Sequence, residues 1–282
     1  MAAGVFSADG FEARSAPAAT AGRPPISLDG SGGFVVAGRP TFLIALSNPP
    51  PLSTRTPAGL PGPVEVVRTG VNLLRVGPAW TGWTRRELEH VLAWERTAVL
   101  LGVHTWVRLN AFAATQPRWR GDARLAAIVH ALTRSRFAAG IGLWQGADEP
   151  RSRGIPARSL AFVYCRLTSR GDPSACAGEP PLDRHHLLVT ILAPSGTPAS
   201  LAPYSDVTDG LGVDVYPVTL DNPDSPDLHA VGVWTRTIAR ITRNHSVWTT
   251  LQICSIHAYD KQTGAYVLPS AYQERYMVYD AI

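Results

Sequence analysis

Two adjacent carboxylates at the end of a β-rich segment could transfer a proton. Asp148 and Glu149 follow the run 140–146, and Pro150 begins the loop after them. A glutamate partly buried among Trp144 and other aromatic residues would have its pKa raised enough to hold a proton near neutral pH. Cleavage of a glycosidic bond needs such a donor and a second carboxylate that acts as nucleophile or base. The alternative is a surface Asp-Glu-Pro turn that caps a helix.

Side-chain alternation predicts which residues of each strand face the same way. In the run 103–110, the apolar set that includes Val103 and Val107 suits packing against helices and leaves a polar and aromatic set for the opposite face. The same reasoning on the other runs predicts an inward cluster made of Arg75, Trp106, Arg108, Asn110, Asp214, Tyr216, Trp248 and Gln252. Aromatic faces stack on sugar rings and polar groups bind hydroxyls, so the cluster predicts a sugar site. For any single member, the alternative is a hydrogen-bonded interior that binds no ligand.

These residues must be positioned by strands that alternate with helices. Seven β-rich runs are predicted, over residues 41–47, 72–77, 103–110, 140–146, 186–193, 212–218 and 246–254. Amphipathic helices are predicted over residues 84–101, 122–136, 156–167, 229–243 and 269–282. Thr84 and Glu87 predict a capping box at the start of the first helix, and Gly102 predicts its end. Strands and helices that alternate in this way favour parallel β/α units.

The chain, at 282 residues, is long enough for one α/β domain of the TIM (β/α)8 barrel type. Residues 46–51, after the first strand, contain no glycine and cannot form the phosphate loop of a dinucleotide-binding sheet. Residues 32–40 predict an N-terminal β-hairpin with its turn at Ala37-Gly38, which would close the lower end of the barrel. Since seven strands are one too few, we expect a barrel truncated before its eighth strand. The alternative is that the hairpin or the segment before it fills the gap.

The composition excludes several classes of protein. Hydrophobic residues make up 45% of the chain and charged residues 17%, as in ordinary folded domains. The net charge of +4 comes from scattered arginines without a basic run, so we expect no nucleic-acid partner. We also expect no membrane span. Residues 1–27 lack an apolar signal segment and predict a flexible leader, so the barrel domain covers residues 28–282. The sequence leaves the oligomeric state open.

Cysteines and histidines give weaker signals. Cys165 and Cys176 could close a short disulfide loop, which would favour a secreted or cell-envelope protein. Two free thiols are the alternative, and a cytoplasmic location stays open. No His-x-x-x-His or Cys-x-x-Cys spacing is present. The pair His185-His186 lies at the entry to the fifth strand, the end opposite to catalysis in a barrel, so we predict no metal and no cofactor.

Three features resemble the clan A glycoside hydrolases over about residues 32–282: the hairpin entry, the Asp-Glu-Pro end of the fourth strand, and residues 212–217 of the sixth. The resemblance is to an actinobacterial branch with this fourth strand. It implies that Glu149 is the acid/base glutamate, with Asp148 where asparagine is usual. It also implies that Arg75 supports the nucleophile and that Tyr216 supplies an aromatic hydroxyl. The chain departs from the clan at the seventh strand, where Gln252 replaces the nucleophilic glutamate. An amide cannot form the glycosyl-enzyme ester.

The sequence therefore predicts a glycosidase that acts on a carbohydrate, with Glu149 as general acid and Asp148 or Asp214 assisting. The second carboxylate could be Asp214, or Asp260 in the loop after the seventh strand. A separation of about 6.5–9.5 Å between the carboxyls would then imply inversion through a water molecule. One alternative is a hexosaminidase-like reaction in which Asp148 orients an acetamido group of the substrate. The others are a catalytically inactive glycan-binding barrel and a barrel enzyme that acts on a different small molecule.

Overall fold

The computed structural model describes residues 26–79, 82–116, 119–242, 246–256 and 266–282. The strands are β1 (Ile26–Leu28), β2 (Phe34–Val36), β3 (Arg39–Pro40), β4 (Ala45–Leu46), β5 (Leu73–Val76), β6 (His104–Arg108), β7 (Ile141–Asp148), β8 (Leu187–Leu192), β9 (Gly210–Val215) and β10 (Ser246–Leu251). The helices are α1 (Gly62–Arg68), α2 (Arg85–Leu101), α3 (Arg120–Thr133), α4 (Ala157–Thr168), α5 (Pro198–Leu201), α6 (Ala230–Thr242) and α7 (Ala271–Ala281).

The main sheet contains seven strands in the order β10-β9-β8-β7-β6-β5-β4, and every neighbouring pair is parallel. Trp106 on β6 and Trp248 on β10 are four positions apart in this order, yet their ring centroids are 5.0 Å apart. In a flat sheet, four strand spacings would separate them by about 19 Å. The sheet therefore curls as a barrel does, and the predicted α/β fold of the TIM-barrel type is confirmed.

The curled sheet separates two apolar layers. The outer layer lies between the sheet and the helices and includes Val107 and Leu109 of the third predicted run. The inner layer includes Leu73, Trp106 and Leu143. The alternation predicted for this run is therefore confirmed, because Val107 and Trp106 lie on opposite faces of the same strand.

The predicted hairpin is present and lies against the inner layer. Strands β2 and β3 pair antiparallel, and the turn residues Ala37 and Gly38 have φ angles of 48° and 82°. Two successive left-handed residues are typical of the tight turn that suits twisted hairpin strands. Phe34 places its ring edge-on to Trp248 at 5.8 Å.

The start of the described chain adds a strand that the sequence did not indicate. Strand β1 pairs with β2, and Ile26 is fully buried in the inner layer. Ile26 and Ser27, which the prediction assigned to the leader, thus form part of this strand. Residues 1–25 lie outside the described residues, so a leader over that segment stays a prediction.

The helix boundaries follow the capping residues, with small differences. Thr84 accepts a hydrogen bond from the Glu87 backbone N–H at 3.2 Å, and Gly102 ends α2 with a φ of 69°. Helix α3 begins at Arg120, two residues before the predicted start at Asp122. Strand β9 likewise begins at Gly210, two residues earlier than predicted, and ends at Val215 instead of residue 218.

The two edges of the sheet are not joined within the described residues. There, β4 pairs with β5 alone and β10 with β9 alone. Truncation before an eighth strand stays a prediction. No helix in the described part of the chain is long and apolar enough to cross a membrane.

Candidate active site

An irregularity in β7 brings Asp148 to the inner face of the sheet. The pairing of β7 with β8 shifts between Gln145 and Ala147, so the simple alternation of side chains is broken there. Gln145 and Asp148, three positions apart, consequently lie on the same side, and Gln145 Nε2 donates to Asp148 Oδ1 at 2.9 Å. Sequence reasoning missed Gln145. A signal was present, because alternation places it opposite the apolar Trp144.

Arg75 on β5 supplies a positive charge to this group. Its Nη1 lies 3.5 Å from Asp148 Oδ1, and the two side chains are only 11% and 22% exposed. The guanidinium also lies over the Trp106 ring, 5.4 Å from its centroid. The Trp106 ring thus stabilises Arg75 through a cation–π contact. Arg75 and Gln145 together hold the Asp148 side chain in place.

Glu149 leaves the strand with an unusual backbone conformation. Its φ is 49°, which is uncommon for any residue other than glycine. Its backbone N–H donates to the Ile191 carbonyl at 2.7 Å, which attaches the turn to β8. The half-buried side chain forms a hydrogen bond with Asp214 of β9. Residues distant in the sequence therefore bring two carboxyl groups into direct contact.

Both carboxyl groups have a raised pKa, and burial is the largest cause for each. Burial raises the pKa of Asp214 to about 8, and the negative charges of Glu149 and Asp148 act in the same direction. Burial and the charge of Asp148 also raise the pKa of Glu149, against the opposing influence of Arg153 and of the hydrogen bond to Asp214. The Glu149–Asp214 pair therefore keeps one proton near neutral pH, because two carboxylates in contact cannot both ionise readily.

Tyr216 and Arg108 lie at the same end of the sheet. Tyr216 follows β9, and burial together with the charge of Asp214 raises the pKa of its hydroxyl. Arg108 donates to the side chain of Asn48 and to the Gly77 carbonyl, the latter at 3.3 Å. The sequence predicts that both residues bind substrate. Tyr216 is brought next to the acidic pair, whereas the described contacts of Arg108 join it to the loops after β4 and β5.

Gln252 forms hydrogen bonds with the loop that follows β9. Its Oε1 accepts from the Val218 backbone N–H at 2.9 Å, and its Nε2 donates to the carbonyls of Val218 at 2.8 Å and Cys254 at 3.0 Å. The side chain is fully buried. Because backbone groups occupy both ends of the amide, Gln252 joins the segments after β9 and β10.

Three tryptophans and one aspartate of the predicted site differ in position. Trp106 and Trp248 lie in the inner apolar layer beside the hairpin. Trp144 points the other way, into the outer layer, where its Nε1 donates to Asp183 at 2.8 Å. The structure therefore does not bring Trp144 together with Glu149. Asp260 lies outside the described residues.

Several buried polar atoms on the inner side have no hydrogen-bond partner among the described residues. They are Arg75 Nε, Trp106 Nε1, Gln145 Oε1, Asp214 Oδ1 and Thr250 Oγ1. Asn110, which follows β6 and is 1% exposed, has neither amide atom paired. Buried polar groups are nearly always satisfied in proteins, so this concentration is typical of a site that binds a polar ligand.

Two further observations concern other kinds of site. Within the described ranges, no three His, Cys, Asp or Glu side chains are arranged to hold a metal ion. A cavity of about 650 Å³ lies on the outside of the barrel, against α2, and is lined by Leu92, Leu100 and Phe137 among others. It contains none of the three carboxylates.

No protein-family model and no curated protein matches this chain. Solved structures share its fold. A glycoside hydrolase family 5 mannosidase from Rhizomucor miehei superposes with a TM-score of 0.59 at 12% identity, over 91% of this chain and 80% of that one. The exo-β-1,4-mannosidase Op5Man5 from Opitutaceae bacterium strain TAV5 gives 0.56 at 14% identity, over 90% and 52%. A family 17 β-1,3-glucanosyltransferase from Rhizomucor miehei gives 0.52 at 12% identity, over 85% and 80%. The chain thus has the barrel fold of glycoside hydrolase families 5 and 17.

Proposed function

We propose that this chain is a glycosidase in which Glu149 donates a proton to the leaving oxygen. The observation that carries the proposal is the hydrogen-bonded Glu149–Asp214 pair at the C-terminal ends of β7 and β9, with the pKa of both groups raised. A general acid needs a carboxyl that keeps its proton at the working pH. The barrel fold places such groups at the strand ends where barrel enzymes carry out their chemistry.

The pair can supply both proton transfers of a hydrolysis. As the substrate parts the pair, the shared proton goes to Glu149, which gives it to the glycosidic oxygen while the bond from that oxygen to the anomeric carbon breaks. A water molecule adds to this carbon, and its proton passes to the Asp214 carboxylate, so that the pair ends with the one proton it began with. Displacement through a water molecule needs about 6.5–9.5 Å between the carboxyls, so the bound substrate has to part the pair.

A version that uses the substrate as nucleophile needs no second carboxylate at the anomeric carbon. Asp148 is already held by Arg75 and Gln145 beside Glu149. In this version it orients an acetamido group of the substrate, which attacks the anomeric carbon in place of water. Products that retain their anomeric configuration would favour this version, whereas inverted products would favour the water route.

A second candidate function is a barrel that binds glycans without cleaving them. It is favoured by the hydrogen bond between Glu149 and Asp214, because both glycosidase geometries hold the two carboxyls about 5 Å or more apart. The backbone bonds of Gln252 favour it as well, because they leave the seventh strand with no nucleophile at the position that the clan uses.

Turnover of β-linked mannan and glucan oligosaccharides is the first test, since the fold neighbours include a mannosidase and a glucanosyltransferase. We expect Glu149→Gln to lower kcat by about 10²–10⁴-fold while sugar binding is kept, because the amide cannot donate a proton to the leaving group. Glu95→Gln is the matched control. Glu95 is also a buried glutamate with its pKa raised by burial, to about 8, but it bonds Ser135 on the outer side of the sheet.

The outcomes separate the candidates. Equal turnover by wild type and Glu149→Gln would exclude Glu149 as the general acid. Binding of these oligosaccharides by both proteins, with no product from either, would favour the glycan-binding barrel. A large loss in Glu95→Gln would instead attribute the effect to loss of a buried glutamate in general.

We further propose that the protein is secreted or bound to the cell envelope and belongs to the actinobacterial branch named above. The support for export is the Cys165–Cys176 disulfide, since such bonds persist in oxidising compartments. Localisation of the tagged protein in an actinobacterial host, with the thiols trapped at lysis, tests this. Recovery of reduced protein from the cytoplasm would contradict it.

A further inference from the structure

Gln145 is a fully buried polar side chain of which only half is bonded. It lies on the inner side of β7, and its Nε2 donates to Asp148 Oδ1 at 2.9 Å. Its Oε1 has no partner among the described residues. Leaving a buried acceptor unpaired is destabilising, so a polar residue at this position needs a reason other than stability.

The hydrogen bond determines how the Gln145 amide is oriented. Asp148 Oδ1 also accepts a hydrogen bond from Arg75 Nη1 at 3.5 Å. This oxygen is therefore an acceptor, and the Gln145 atom that faces it must be a donor. With the amide reversed, Gln145 Oε1 would face that oxygen as a second acceptor. The Nε2 therefore points at Asp148, and the two donors come from strands on either side of β6.

We infer that Gln145 is a positioning residue that, together with Arg75, holds the Asp148 side chain beside the Glu149–Asp214 pair. The importance of this positioning for catalysis rests on the proposed function, but the positioning itself does not. Other charged and titratable groups act on the same cluster: Arg75 of β5, Arg153 of the loop after β7, and Tyr216 and Cys254 at the ends of β9 and β10. Arg108 pairs with Gln145 in the strand register.

The inference predicts opposite effects for two substitutions. In Gln145→Met the donor is lost, so Asp148 can turn away, and with its negative charge farther off the pair should release its proton at a lower pH. In Gln145→Glu another carboxyl lies beside Asp148, and the cluster should hold its proton to a higher pH. We expect each shift to be about one pH unit.

The titration of the cluster can be followed without any substrate. Proteins labelled with ¹³C at the Asp and Glu carboxyls are titrated by NMR, and the midpoints of Glu149 and Asp214 are compared with wild type. Gln252→Met is the matched control, because Gln252 is equally buried at the same end of the barrel but bonds only backbone groups in the described residues. It should lower stability and leave both midpoints unchanged.

A midpoint that stays within about 0.2 pH units in Gln145→Met would overturn the inference, as would equal shifts in Gln145→Met and Gln252→Met. If Gln145→Glu does not fold, the comparison of the two methionine variants still decides. Failure of the proposed function is a separate result: a protein that cleaves no glycan can still show the shift. Where a cleaved glycan is found, the alkaline limb of the kcat/KM profile should move with the midpoint.

Discussion

Glu149 occupies a backbone conformation that a glutamate seldom adopts. Its φ is 49°, and the following residue is Pro150, which normally drives its predecessor toward extended structure. Such positions cost about 1–3 kcal/mol and persist where surrounding structure holds them. Here the hydrogen bond from the Glu149 N–H to the Ile191 carbonyl holds the residue in this conformation. The result is a carboxyl that leaves the strand and meets Asp214.

At this residue scale, we expect Asp214→Asn to make stability less dependent on pH. An aspartate in the unfolded chain ionises near pH 3.9, whereas burial raises the pKa of Asp214 to about 8 in the folded protein. Between these values the folded protein binds more protons than the unfolded chain. Its free energy of unfolding therefore falls as the pH rises, by up to about 1.4 kcal/mol per unit for one proton. Asparagine cannot ionise, so part of this fall should disappear.

Urea unfolding across the range from about pH 4 to pH 8 measures this dependence. Asp221→Asn, which removes an exposed carboxyl from the loop after β9, is the control and should leave the dependence as in wild type. A variant at Asp214 that loses stability with rising pH as steeply as wild type would show that Asp214 does not hold a proton in the folded state.

The sequence predicted many of these residues and missed others for an identifiable reason. Alternation of polar and apolar residues placed Arg75 and Asp214 on the inner side, because both strands are regular there. It did not anticipate that Asp148 joins Gln145, since the shifted register in β7 reverses the alternation. The expected contact of Trp144 with Glu149 came from closeness in the sequence, whereas the strand sends the two side chains to different environments.

At the scale of the elements, close packing inside the barrel depends on Gly212 of β9. A β-carbon at this position would lie 2.5 Å from Ile191 Cδ1 and 2.9 Å from both Trp248 Cβ and the Trp248 carbonyl oxygen. The isoleucine tip can move, but the backbone oxygen belongs to the neighbouring strand. The glycine therefore allows Trp248 to approach β9 and to reach Trp106 and Phe34.

We expect Gly212→Ala to lower the free energy of unfolding by about 1–3 kcal/mol, the usual cost of overpacking a core. Loss of near-ultraviolet circular dichroism from the inner tryptophans should accompany it. Gly30→Ala is the control, because a β-carbon there meets nothing within 4 Å. Equal stability of Gly212→Ala and wild type would mean that the two strands can separate without cost.

Elements were predictable where local residues determine them. The hairpin turn and the start and end of α2 depend on Ala37-Gly38, Thr84 and Gly102, whose preferences act over a few residues. Strand β1 depends instead on pairing with β2 and on burial of Ile26 against the inner layer. Nothing in the neighbouring sequence indicates those distant contacts.

On the scale of the whole molecule, the Cys165–Cys176 disulfide fastens a segment that joins three parts of the fold. Cys165 lies in α4, and Cys176 ends the short 3-10 helix that follows. Between them, Arg166 binds Asp122 of α3 at 3.0 Å, and Arg170 binds Asp209, next to β9, at 2.9 Å. The sequence left the choice between a disulfide and free thiols open because it gives no distance between the cysteines.

We expect the double variant Cys165→Ala/Cys176→Ala to lose about 3 kcal/mol of stability, because a cross-link of this span restricts the unfolded chain. The two arginine pairs should add to the loss if the freed segment moves. Unfolding in denaturant, with and without a reductant, measures the effect: wild type and Cys254→Ala should weaken when reduced, and the double variant should not respond. Titration of the oxidised, unfolded wild type should find one thiol, that of Cys254. Three titratable thiols would refute the disulfide and with it the support for export. A wild-type stability that is the same with and without reductant would do so as well.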